Sequence, residues 1–167
     1  AQDITFEEKL KGSGLTWGGL FLDLNSDGGD DLLIATDMGI SPLYKNNQNG
    51  EFLLYTKPSG IAIRGTAMGL DAADFDGDLD LDYCQSNFGP NFLFEQKGDL
   101  IFENIGGIRG MNNGVASRSV TWDCNFIDID LDGDLDLWFG SGNINPYTTY
   151  SPNAIYLNDG NGNFLQA

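Results

Sequence analysis

The stretch Asp128-Ile129-Asp130-Leu131-Asp132-Gly133-Asp134-Leu135-Asp136 sets an acidic side chain at every second position, with glycine sixth. Two other stretches keep this spacing in part: Asp23-Leu24-Asn25-Ser26-Asp27-Gly28-Gly29-Asp30-Asp31, with the oxygen-bearing Asn25 at position 3 and Gly29 at position 7, and Asp74-Phe75-Asp76-Gly77-Asp78-Leu79-Asp80-Leu81-Asp82, with Leu79 at position 6. Oxygen side chains at positions 1, 3 and 5 curl inward. The position 7 carbonyl and the position 9 carboxylate complete an oxygen cage suited to a hard cation, and Ca²⁺ is the expected one. The expected ligand sets are Asp23, Asn25, Asp27, Gly29 and Asp31; Asp74, Asp76, Asp78, Asp80 and Asp82; and Asp128, Asp130, Asp132, Asp134 and Asp136. Up to three Ca²⁺ ions are expected. An EF-hand would need Glu at position 12, where Ile34, Gln85 and Phe139 stand. The plain alternative is a solvated acidic face, against which the kept register of Asp and Gly speaks. The second loop carries Leu79 at position 6, and a leucine is disfavoured at positive φ. This predicts a distorted loop or a shift by two residues onto Gly77. The unshifted register is preferred, because Met68 and Asp82 fit it.

The flanks of the loops repeat as well. Six residues before each loop sits Trp17, Met68 or Trp122. Their recurrence reads as packing rather than ligand binding. Downstream, an aromatic precedes a Phe by eight residues: Tyr44 and Phe52, Phe94 and Phe102, Tyr156 and Phe164. Polar, glycine-bearing turns lie between them, as in hairpins. Each copy therefore reads as four short strands, in the first Leu15–Leu22, Leu32–Thr36, Pro42–Lys45 and Glu51–Tyr55. The expected fold is all-β, with three four-stranded antiparallel β-propeller blades. We expect one region over residues 1–167, with repeats at about 9–58, 59–108 and 109–167. The segment 3–8, around Ile4-Thr5-Phe6-Glu7-Glu8, resembles a last strand and is expected to belong to a neighbouring blade.

The chain has 167 residues and a formal net charge of -17. That charge repels phosphate backbones and anionic membranes, so neither nucleic-acid binding nor membrane insertion is expected. Histidine is absent, which removes His-based triads and His-ligated metals. The carboxylates sit in the loops rather than as an isolated acid and base, so catalysis is not expected. Cys84 and Cys124 read as inner-strand residues of neighbouring blades. They form either a disulfide across the interface or two separate buried thiols. Arg64, Arg109 and Arg118 are expected to pair with carboxylates.

Met68-Gly69, Asp74-Phe75-Asp76-Gly77-Asp78, Asn87-Phe88-Gly89-Pro90-Asn91, Asp132-Gly133-Asp134-Leu135-Asp136-Leu137 and Asn153 to Phe164 resemble the FG-GAP/VCBS repeat family. That family includes the Ca²⁺-binding blades of α-integrin propellers and secreted proteins of the cartilage-acidic-protein (ASPIC/UnbV) type. The resemblance implies Ca²⁺ loops that stiffen blades without catalysis. It also implies propellers of about seven blades, so three repeats depart from the pattern. The expected role is a non-enzymatic extracellular or cell-surface module that is structural, adhesive or self-assembling, in filaments for example. Its expected partners are copies of itself, joined by strand exchange or blade stacking. The alternatives are a glycan- or protein-binding propeller, with Tyr147 and Tyr150 stacking on sugars, and a fragment of a larger secreted protein.

Overall fold

The computed structural model describes residues 14–111, 120–143 and 152–167. The segment 3–8, Arg118, Tyr147 and Tyr150 lie outside the described residues. The described residues contain strands and turns and no α-helix.

Three four-stranded antiparallel sheets follow one another along the chain. The first holds β1 (Leu15–Leu22), β2 (Asp31–Asp37), β4 (Leu43–Asn46) and β5 (Phe52–Leu54). Between β2 and β4, β3 (Gly39–Ile40) reaches out to pair with β6 (Arg64–Gly65), a small ribbon that the sequence did not announce. The second sheet holds β7 (Ala67–Ala73), β8 (Asp82–Asn87), β9 (Phe92–Gln96) and β10 (Phe102–Asn104). The third holds β11 (Thr121–Ile127), β12 (Asp136–Ser141), β13 (Ala154–Asn158) and β14 (Phe164–Gln166). In each sheet the Asp-rich loop joins the first two strands and the polar turn joins the last two.

The sheets stack face to face, with β7 beside both β1 and β11. Two apolar cores fill the gaps. Leu24, Leu33 and Leu43 of the first repeat meet Tyr83, Phe94 and Phe102 of the second. Cys84, Leu93 and Phe75 of the second meet Leu137, Tyr156 and Phe164 of the third. Each fully buried side chain of this size contributes about 1.5–3 kcal/mol relative to its exposed state. The middle sheet has a neighbour on both faces, so every residue of β8 is buried. Its amides Gln85 and Asn87 are hydrogen-bonded within the interior. Asn87 donates its N–H to Asn91 Oδ1 at 2.8 Å, and Gln85 Nε2 donates to Asn87 Oδ1 at 3.1 Å.

The second core is also closed covalently. Cys84 and Cys124 form a disulfide, with Cα atoms 6.3 Å apart. Cys84 lies on β8, the strand that follows the second Asp-rich loop. Cys124 lies on β11.

The recurring large residue before each loop has a backbone cause. The β1–β2 register slips between Thr16 and Gly18, β7–β8 between Ala67 and Leu70, and β11–β12 between Thr121 and Asp123. Trp17, Met68 and Trp122 therefore sit at β-bulges, which re-aim a side chain out of the ladder. Trp17 and Trp122 meet edge to face, with ring centroids 6.4 Å apart. This is packing of a kind, yet Trp17 remains 57% exposed and Trp122 39%. They are not core residues.

Candidate metal centre

The three Asp-rich loops share one backbone. Positions 4 and 6 have positive φ in every copy: Ser26 (58°) and Gly28 (92°), Gly77 (79°) and Leu79 (75°), Leu131 (64°) and Gly133 (101°). The second loop is therefore neither shifted nor unwound. Its glycine sits at position 4, and Leu79 accepts the left-handed conformation at position 6. Position 6 N–H donates to the position 1 carboxylate in all three: Gly28 to Asp23 at 2.9 Å, Leu79 to Asp74 at 3.1 Å and Gly133 to Asp128 at 3.2 Å. Position 7 N–H donates to position 5: Gly29 to Asp27, Asp80 to Asp78 and Asp134 to Asp132.

Leu79 is 88% exposed, so its side chain gains nothing from burial. A left-handed non-glycine residue costs roughly 1–2 kcal/mol, and glycine returns part of this through unfolded-state entropy. Leu79→Gly should therefore stabilise the protein by about 0.5–1 kcal/mol. Chemical denaturation would show this as a higher midpoint with an unchanged slope, and a lower midpoint would contradict it.

Position 9 ties each loop to the hairpin of its own sheet. Asp31, Asp82 and Asp136 are all fully buried. One carboxylate oxygen of each accepts a backbone N–H from the end of the third strand: Asn46, Gln96 and Asn158 respectively, at 2.8–2.9 Å. The other oxygen differs among the copies. Asp136 Oδ2 accepts Ile129 N–H, while Asp31 Oδ2 and Asp82 Oδ2 have no hydrogen-bond partner. Asp76 Oδ1 and Asp80 Oδ1 are likewise buried and unpaired. Buried oxygens without donors are costly, and each one needs an account.

The electrostatics agree. Burial pushes the Asp82 carboxyl up to about 8. Burial, with Asp78 next in weight, pushes Asp80 up to about 6. Burial raises Asp76, with the Asp78 charge next and the adjoining Glu95 carboxyl after it. Desolvation and its neighbours Asp132 and Asp136 raise Asp130. Carboxylates crowded in this way lack a counter-charge.

Side-chain oxygens converge at two loops. Asp74, Asp76 and Asp78 bring one oxygen each within 4.8 Å of one another, and so do Asp128, Asp130 and Asp136. Asp82, Asp80, Asp132 and Asp134 stand next to these triplets without joining them. Among the described residues, Asp23, Asp27 and Asp31 form no such triplet. A metal ion fits the second and third loops by donor type, since their converging oxygens are hard carboxylate ligands, and in the second loop Asp76 Oδ1, Asp80 Oδ1 and Asp82 Oδ2 are also left without a donor. In the first loop Asn25 Oδ1 and Asp31 Oδ2 are buried without a donor, but no carboxylate triplet converges.

Residues 23–84 match the family model of the FG-GAP-like repeat. The match runs from the first ligand position of the first loop to the disulfide-bonded Cys84, over a third of the chain. No curated protein matches the chain.

The repeat reading missed the side-chain amides that hold neighbouring repeats together. Gln96 Nε2 donates to Leu81 O in its own loop and to Leu24 O in the preceding one. Asn158 Nδ2 does the same with Leu135 O and Phe75 O. Asn46 Nδ2 bonds Asp30 O in its own loop. A usable signal was present: an amide residue stands two positions after the recurring aromatic in all three copies. Arg109 pairs with Glu95 at 3.4 Å as expected of the arginines, whereas Arg64 donates to Met38 O.

Proposed function

We propose that the chain is a non-enzymatic, extracellular calcium-binding module whose sheets are β-propeller blades, with a structural, adhesive or self-assembling role. The observation that carries this reading is the buried position 9 aspartate. In the second loop, Asp82 has one oxygen fixed by the hairpin and the other left without a donor, beside the converging Asp74, Asp76 and Asp78. A divalent cation supplies the missing charge and accepts lone pairs from these oxygens. The chain's own residues orient the loop through position 1, and they tie its end to the hairpin through position 9. Calcium therefore joins the first two strands to the last two and stiffens each blade. The disulfide suits an oxidising compartment. Among the described residues no helix is long and apolar enough to cross a membrane.

Association with further blades is supported by position 2 of the loops. Leu24 and Phe75 are buried against the next sheet, whereas Ile129 is 37% exposed at the same position. Ile127 and Leu165 are also exposed in the third sheet. Sheet stacking would cover them, either by a copy of the chain or by further repeats of a longer protein. A glycan- or protein-binding propeller remains the second reading, and its proposed contacts lie outside the described residues.

The test is thermal unfolding of the full chain in EGTA and in millimolar Ca²⁺. Ligand binding to the native state alone raises Tm by mass action. At roughly 100 times the Kd, one site adds about 2.7 kcal/mol, equivalent to about 5–10 °C. Asp130→Ala should lose part of this gain, while the EGTA Tm stays close to the parent. An identical Tm with and without calcium would defeat the proposal.

A further inference from the structure

We infer that the first loop does not take a calcium ion, because the Lys45 ammonium already occupies the cation's role there; this rests on the calcium reading of the other two loops. Lys45 follows the recurring aromatic of its hairpin, and its Nζ lies 2.8 Å from Asp99 Oδ1 and 3.8 Å from Asp27 Oδ2. Its charge also acts on the buried Asp31 at position 9. The ammonium therefore stands at the edge of the loop, paired with Asp27 at position 5, while Asn25 Oδ1 and Asp31 Oδ2 stay buried without a donor.

The position 5 carboxylate of this loop accepts three hydrogen bonds. Asp27 Oδ1 accepts Gly29 N–H at 3.0 Å and Gln48 Nε2 at 2.9 Å. Asp27 Oδ2 accepts Asn25 Nδ2 at 3.0 Å. The corresponding Asp78 and Asp132 accept the position 7 N–H and otherwise interact with the neighbouring acids Asp80 and Asp130 rather than with amide donors. Asn25, at position 3, turns its amide donors toward Asp27 and Asp99. Asp99 belongs to the hairpin of the second sheet, so the lysine and the amide together clamp the first loop to its neighbour.

The hairpins show that this is particular to the first repeat. Lys45 pairs across its hairpin with Leu53, Glu95 with Glu103, and Leu157 with Leu165, so the three residues share one place. In the second repeat that place holds an acid hydrogen-bonded to Asp76, and in the third it is neutral. The two loops without a cation at this place are the two whose carboxylates converge. A fixed ammonium repels a divalent ion by direct Coulomb interaction and competes for the same lone pairs.

Equilibrium dialysis of the full chain against ⁴⁵Ca²⁺ at neutral pH tests this. The parent should bind two ions, and Lys45→Met should bind three. Lys45→Gln, which keeps a polar head without the charge, should also gain the third ion and serves if the methionine variant misfolds. Three ions bound by the parent, or two by both variants, would overturn the inference while leaving the calcium reading standing. No ion bound by the parent or by either variant would bring down both.

Discussion

Replacing both Cys84 and Cys124 by alanine should lower stability by about 4 kcal/mol, the loop-entropy value for a bridge closing 40 residues. At this chain length, that corresponds to a Tm lower by roughly 8–16 °C. The bridge crosses from β8 to β11, through the core between the second and third sheets. Without it, that interface is held by side-chain packing and by hydrogen bonds such as Phe126 N–H to Asp71 Oδ2 at 2.8 Å. The unfolded chain meanwhile regains the freedom of the segment between the cysteines. Reductant should reproduce most of the loss in the parent and have no effect on the double variant. Equal melting of the two proteins without reductant would show that the interface does not depend on the bridge.

The second large effect is a pH dependence that calcium reverses. In EGTA, the folded protein keeps protons on Asp82, at about 8, and Asp80, at about 6, that the unfolded chain releases near 3.8. The folded state thus binds more protons over this window, so stability falls as pH rises. It is highest near or below pH 4 as far as these two groups are concerned, and their penalty is complete above pH 8. A Tm lower by roughly 5 °C or more at pH 8 than at pH 5 is expected. A calcium ion held as proposed above would take the deprotonated carboxylates, so its stabilisation should grow with pH and offset the fall. Asp82→Asn keeps an acceptor for the Gln96 N–H and removes the buried charge. In EGTA at pH 8 this variant should melt above the parent, and it should lose the calcium gain of the second loop. A Tm in EGTA that is flat with pH in both proteins would contradict this account.

The loops were the most legible part of the chain because their chemistry is local. Alternating oxygens around a turn need no distant partner, so Asp128 to Asp136 could be read directly. The strands of the first copy were legible for the same reason. Leu15–Leu22 appears as expected, and the other three expected strands lie within a residue or two of the observed ones. The second loop was harder. Its glycine and its leucine exchange positions, and a rule that demands glycine at position 6 misjudges a backbone with two left-handed residues.

The tryptophans illustrate the opposite case. Their recurrence was visible, yet their half-exposed state follows from β-bulges, which depend on the pairing partner rather than on the strand itself. Lys45 was visible only as one of a few basic residues. Its bearing on the first loop comes from Asp99, which is 54 residues away in sequence and 2.8 Å away in space.

By itself, the sequence determined an all-β chain of repeated four-stranded units, and it marked the Asp-rich loops, in two of which three carboxylates converge. These follow from spacing and turn chemistry within about fifty residues. The tertiary structure alone decided which repeats touch, that Cys84 meets Cys124, which carboxylate oxygens are left without donors, and that Lys45 pairs with Asp27 and Asp99. Each of these depends on burial and on groups brought in from a neighbouring sheet, and such groups leave no periodic trace in the segment they act upon.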